Sequence, residues 1–167
     1  FAARFPRDER AATALRDEAR ALRTLGRHEE ALARFQQILE RHAEQPGADA
    51  ALLEIARTHV ALEQYETAVA TFRRVAPFLA VEESAPVHGE LAEALAQLGR
   101  YEEAAHAALA SADLYPESSR GRAAAQLDAA RHFESAHAYD QARAVYEDLV
   151  FRYGVLSEVG GSAADGL

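Results

Sequence analysis

An all-α solenoid of stacked helix-turn-helix units is the fold class this sequence predicts, and three observations predict it. An alanine followed four residues later by a bulky residue recurs as Ala31…Phe35, Ala68…Phe72, Ala104…Ala108 and Ala142…Tyr146, the third instance being reduced to alanine. The leading alanines stand 37, 36 and 38 residues apart, a period that means one supersecondary unit stacked on copies of itself. A second series, Ala19, Ala56, Ala92 and Ala130, keeps the same register one helix earlier. An alanine on each helix of a pair lets two backbones approach closely, and a hydrophobic fraction of 49% rich in alanine suits a core of closely packed helices.

Each unit reads as two helices joined by a tight turn. In the first, Asp8 is placed to cap a helix by accepting its orphan amide hydrogens. Ala14, Leu15, Ala19, Leu22 and Leu25 then recur at three- and four-residue steps. Gly26 supplies the stop, and Ala31, Leu32, Phe35, Ile38 and Leu39 line the second helix. After the breaker Pro46-Gly47, the second unit begins near Asp49, with Leu52, Ile55, Ala56, His59 and Leu62 inward on one helix. Tyr65, Ala68, Val69, Phe72 and Val75 face inward on the next, which Pro77 should end. The third unit is expected to start near Ser84, with Pro86 in a first turn that does not need its missing amide hydrogen. Leu91, Ala92, Leu95 and Leu98 form one of its stripes, Tyr101, Ala104, Ala105, Ala108 and Ala112 the other. The fourth, starting near Ser118-Ser119, pairs Leu127, Ala130 and Phe133 with Tyr139, Ala142, Tyr146, Leu149 and Val150. The resulting division is 1–7 (the end of a preceding repeat), 8–46, 47–83, 84–117 and 118–153, with 154–167 as a flexible or frayed tail.

Composition narrows function mainly by exclusion. Cysteine is absent, which removes disulfides, thiolate nucleophiles and Cys-ligated metals. No apolar run nears the roughly 18 residues that span a bilayer, no signal peptide is visible, and no Met is present, so the chain reads as a piece of a longer protein. The net charge is −9, and an acidic chain repels a polyanion, which argues against nucleic acid as a partner. All 18 basic residues are Arg, as expected of a GC-rich, bacterial genome. Charge is uneven: between Phe78 and Ser119 there are eight acids and the single cation Arg100. That stretch is either a solvated helical surface or an acidic patch that attracts a basic partner segment.

Leu25-Gly26-Arg27-His28-Glu29-Glu30-Ala31 and Leu98-Gly99-Arg100-Tyr101-Glu102-Glu103-Ala104, the alanine-to-aromatic step and Pro116 together resemble the tetratricopeptide repeat. The resemblance covers roughly residues 8–153. Glu63 and His137 depart from it by standing where the turn glycine is common, and Ala43 and Gly154 stand near where a proline is expected. The joints Phe5-Pro6-Arg7-Asp8 and Tyr115-Pro116-Glu117-Ser118 are similar to those of bacterial envelope members, the outer-membrane assembly lipoprotein and the Tol–Pal coordinator. The resemblance implies a right-handed α-solenoid, a concave groove lined by the first helices, a peptide or partner helix held in it, and a place in the periplasm or envelope.

On the polar face of the first helices an acid is followed three residues later by Arg: Asp17–Arg20, Glu54–Arg57 and Asp128–Arg131, with Glu90 and Glu93 breaking the ladder in the third unit. Residues so spaced can pair for a few tenths of a kcal/mol, so the ladder is either helix stabilisation or a groove contacting a partner. Ala108, among small neighbours, marks either closer helix packing or a notch for a partner's apolar side chain. The seven His residues lack ligand spacing: His132 and His137 are five apart, and His28-Glu29-Glu30-Ala31-Leu32 lacks a zincin's second His. No metal, no cofactor and no catalysis are expected, there being neither a phosphate-cradling loop nor a nucleophile elbow. The expected function is a protein-binding scaffold or adaptor. The alternatives are a regulatory or sensor arm of a multidomain enzyme or transcription regulator, and self-association through open repeat ends.

Overall fold

A computed structural model describes residues 9–42, 48–117 and 119–164. Asp8, the Phe5-Pro6-Arg7-Asp8 joint, the remnant at 1–7, Ala43, Pro46-Gly47 and Ser118 lie outside the described residues. Among those described, all regular structure is helical. The chain divides into two compact units, 1–80 and 81–167.

Unit 1 contains two antiparallel hairpins: α1 (Glu9–Thr24) with α2 (His28–His42), and α3 (Ala48–Ala61) with α4 (Tyr65–Val75). Leu15, Ala19 and Leu22 of α1 pack with Ala31, Phe35 and Ile38 of α2 and with Ala51 and Ile55 of α3. Phe35 and Phe72 are fully buried. Two residues expected on the α1 stripe face water instead: Ala14 is exposed, and Leu25, on the turn, is 71% exposed. Ala11 takes the place at the start of the stripe. Helix α3 is packed by α2 and α4, and Leu53, Glu54 and Thr58 are buried along with Ile55, Ala56 and His59 of its predicted stripe, whereas Leu52 and Leu62 are only half-buried. Pro77 follows the end of α4 in a short 3₁₀ turn, Ala76–Phe78.

Unit 2 contains α5 (Val81–Gln97) with α6 (Tyr101–Leu114), and α7 (Arg120–Ser135) with α8 (Tyr139–Ala164). Helix α5 starts three residues before Ser84, the expected start, which puts Pro86 inside the helix. Glu82 and Glu83 in the new first turn suit the positive end of the helix dipole. The carbonyl that Pro86 leaves without an amide donor belongs to Glu82, an exposed residue, where water can replace the lost bond. Helix α7 is capped by Ser119, whose hydroxyl accepts from the Arg122 amide at 3.1 Å. Helix α8 continues through Gly154 to Ala164, where a tail was expected from 154. Gly154, Gly160 and Gly161 each cost the helix only about 1 kcal/mol, and no proline occurs between Tyr139 and Ala164 to stop it.

The four turns within the hairpins share one geometry. The residues at the turn, Gly26, Glu63, Gly99 and His137, have φ of 75°, 58°, 71° and 60°. In each case the next amide reaches back to the carbonyl five residues earlier (Arg27 to Leu22, Gln64 to His59, Arg100 to Leu95, Ala138 to Phe133), at 2.8 to 3.0 Å. This is the Schellman closure that satisfies the last carbonyls of a helix. Glu63 and His137 therefore occupy the glycine position in the left-handed region, at a backbone cost of roughly 1–2 kcal/mol each. At the two glycine turns, Arg27 and Arg100 grip Glu30 and Glu103 with two hydrogen bonds each, 2.6–2.7 Å long, stapling the turn to the next helix.

Candidate functional site

The sequence-derived groove residues fall in both units. In unit 1, the α1 stripe turns its apolar positions to α2 and leaves Arg20 and Arg23 on the adjoining face. Both reach α3, where Glu54 is 3% exposed. Arg20 Nη2 donates to Glu54 Oε1 at 3.1 Å, Arg23 Nη2 lies 3.1 Å from Oε2, and Arg57 Nη1 lies 3.6 Å from Oε1. A buried carboxylate persists only when it is paired, and here three guanidinium groups from two helices surround one. The Arg23 contact is an ion contact without good hydrogen-bond alignment, since Oε2 accepts no hydrogen bond. This corrects the expectation that Glu54 faces a partner: the arginines that reach across from α1 enclose it. Asp17 stays exposed on α1, and Arg20 finds its partner on α3.

In unit 2 the same register carries different residues. Counting from the aligned alanines Ala19 and Ala92, Arg20 corresponds to Glu93 and Arg23 to Ala96. Counting from Ala56 and Ala130, Glu54 corresponds to Asp128 and Arg57 to Arg131. Asp128 keeps the arginine on its own helix, Arg131, at 3.5 Å, with both side chains more than half exposed. The two positions of the preceding first helix that supply cations in unit 1 hold an acid and an alanine. Glu90, three residues before Glu93, is half-buried on α5.

A cavity of about 330 Å³ lies at this place, between α5, α6 and α7. Glu93 and Asp128 are on its wall, together with Gly89 and Ala92 of α5. Ala108 and Ser111 of α6 also line it, so the space lies where a side chain the size of Phe35 or Phe72 would otherwise project. Ser111 spends its proton on the Ala85 carbonyl at 2.7 Å, which leaves its oxygen as an acceptor. Tyr115 packs across the start of α7: a Cβ on Gly121 would come within 2.8 Å of its ring, so any side chain there would have to displace the ring. His132, half-buried on the same wall, has its pKa lowered by burial against the opposing pull of Asp128 and Glu93.

Sequence reasoning gathered Ala108, Glu93 and Asp128 without showing that they share one cavity, and it missed Arg23, Ser111 and Tyr115. The register could have found Arg23, since it stands four residues after Ala19 as Arg20 stands one. Ser111 carried no signal, because its partner is a backbone carbonyl 26 residues away. Among the described residues no group of three or more His, Asp or Glu side chains gathers as a metal site would, and no helix is long and apolar enough to cross a membrane.

A second concave place is an apolar groove of about 560 Å³ on α8. Tyr139, Val150 and Phe151, all more than half exposed, line it beside Ala142 and Tyr146. Ala142 and Tyr146 stand in the register of Ala31 and Phe35, which pack beneath α3 in unit 1.

Tetratricopeptide repeat models match residues 9–79 and 78–119, together about two thirds of the chain. No curated protein matches. Among solved structures, the TPR-like repeats of a candidate kinesin light chain from Podosopora anserina align with a TM-score of 0.72 at 21% identity, covering 91% of this chain and 79% of that one. MamA 41-end from Desulfovibrio magneticus RS-1 aligns with a TM-score of 0.66 at 17% identity, covering 86% and 76%. Another MamA structure reaches a TM-score of 0.73 at 11% identity, covering 94% and 79%. At these identities the likeness is one of fold. With the repeat models, the four Schellman-closed turns and the paired helices, this chain belongs to the tetratricopeptide repeat family.

Proposed function

We propose that this chain is a protein-interaction scaffold or adaptor module of a larger bacterial protein or assembly, holding a peptide or partner helix on the face of its first helices. The observation that carries this reading is the cavity between α5, α6 and α7, where a repeat position filled by phenylalanine in unit 1 is left open beside two acids. The local acidic excess between Phe78 and Ser119 supports a partner with a basic segment, drawn to the cavity by opposite charge. The envelope-type joint Tyr115-Pro116 and the all-arginine cation set support a bacterial periplasmic or envelope setting. Capture of partners from a bacterial lysate by the full-length protein tests the reading. Wild type is expected to retain a partner that Glu93→Arg loses, and an identical set of captured proteins for both would count against the cavity.

A second reading, self-association, is favoured by the apolar groove on α8. It predicts that mass in solution rises with protein concentration and that Phe151→Glu abolishes the rise.

A further inference from the structure

We infer that the unit 2 cavity receives an arginine side chain from the partner, whose guanidinium bridges Glu93 and Asp128 in the way that Arg20 bridges α1 to Glu54 within the chain. The inference rests on the scaffold reading and names the chemistry of the guest. Its first support is internal precedent. Arg20 and Arg23 of one first helix reach the acid of the next in unit 1, at 3.1 Å each. In unit 2 the receiving acid is kept as Asp128, while the donors are replaced by Glu93 and Ala96. The position that lost its cation gained an acid, so an incoming cation meets two carboxylates on two helices.

Space supports it as well. Ala108 leaves a cavity of about 330 Å³ at this place, near the lower end of the roughly 300–1,000 Å³ of small-ligand pockets. That size suits a side chain. The small residues Gly89, Ala92 and Ala108 offer an apolar surface for an aliphatic stem, which arginine buries while its charged head pairs. Beside Tyr115 and His132, the wall carries three acceptors: the carboxylates of Glu93 and of Asp128, the latter 3.5 Å from Arg131, and a Ser111 oxygen whose proton is already committed to Ala85. A planar guanidinium with five donors can satisfy acceptors on two helices together, which an ammonium point charge does less well.

Selection from a random linear peptide library displayed on phage, against the intact chain, tests both levels. The selected peptides should share an arginine. Replacing that arginine by citrulline, its neutral isostere, should weaken binding about tenfold or more, and lysine should weaken it less. Glu93→Arg, at an exposed position, should abolish binding without loss of fold, and Ala108→Phe should do the same by filling the space. Amide NMR shifts on titration of the peptide should centre on Gly89, Ser111 and Asp128. Selected peptides without arginine, an equal affinity of the citrulline peptide, or unchanged binding to Glu93→Arg would overturn the arginine guest and leave the scaffold reading standing. A library from which nothing binds would overturn both.

Discussion

Units 1 and 2 are built on one repeat and differ in where they put bulk and charge. In unit 1 the second helices carry the large side chains, Phe35 and Phe72, both fully buried, and the first helices close a charge network on Glu54. In unit 2 the second helix α6 buries alanines and Ser111, and the buried aromatic moves to the first helix of the next hairpin, as Phe133. Phe133 packs with Ala105 and Ala142 and meets the His106 ring edge-on, 5.4 Å between centroids. The displaced bulk leaves a cavity, and the replacement of Arg20 by Glu93 puts a second acid beside the retained Asp128. A repeat family can thus make a site by subtraction: it omits from one copy the side chain and the cation that its sibling uses for its own stability.

The largest test of this contrast is in the cores. Phe72→Ala is expected to destabilise by about 3–5 kcal/mol, since the ring is fully enclosed. The opposite change in unit 2, Ala108→Phe, is expected to shift stability by less than about 1.5 kcal/mol, because the added ring has the cavity to occupy. Chemical denaturation followed by helical circular dichroism measures both. A loss at Ala108→Phe as large as at Phe72→Ala would mean that unit 2 is as tightly filled as unit 1, and the contrast would collapse.

The next test concerns charge. Glu54→Gln leaves three arginines crowded around a neutral group, and a loss of about 1–3 kcal/mol is expected, tempered by the partial exposure of those arginines. Asp128→Asn, at the corresponding exposed position, should stay within about 0.5 kcal/mol. Equal losses in the two units would show that Asp128 is already as firmly held as Glu54.

The turns serve as a control, because each unit has one non-glycine residue in the left-handed region. Glu63→Gly and His137→Gly should each stabilise by about 1 kcal/mol. Gly99→Ala should cost a similar amount, about 1 kcal/mol, purely from the backbone, since a Cβ there meets nothing within 4 Å. Unequal gains at Glu63 and His137 would mean that the units differ in their turns as well as in their packing.

The smallest effect is pH dependence confined to unit 2. His132 has a folded pKa below its usual 6.5 because burial disfavours the cation, with Asp128 and Glu93 only partly offsetting this. The unfolded chain therefore takes up the proton first, so the contribution is fully present above pH 6.5 and is lost as pH falls through the folded pKa. His132→Gln should flatten the stability profile below pH 6.5, and hydrogen exchange of α7 amides would locate the change in unit 2. An unaltered profile would remove His132 from the account.

The site was less legible in the sequence than the fold, for a reason visible at particular residues. Ala108 and Glu93 each stood out as departures from the repeat, and Asp128 as a regular rung of its acid–arginine ladder. That they share a cavity depends on how α5, α6 and α7 pack, which involves the Ser111–Ala85 bond and the ring of Tyr115 against Gly121. Glu54 misled for the same reason. Its spacing from Arg57 marks a surface pair, and only the arginines that reach across from α1 turn it into an enclosed centre.

By itself the sequence determined the repeat, its register, the four turns and most of the inward stripes. Helical period and Schellman closure are local properties, set by residues within about two turns of one another. The tertiary structure decided what lies between helices: which acid is enclosed by arginines, where omitted bulk becomes a cavity, and which apolar face α8 leaves exposed. Those depend on contacts between residues some thirty positions apart, such as Arg20 with Glu54, and no local pattern encodes the distance at which two such side chains meet.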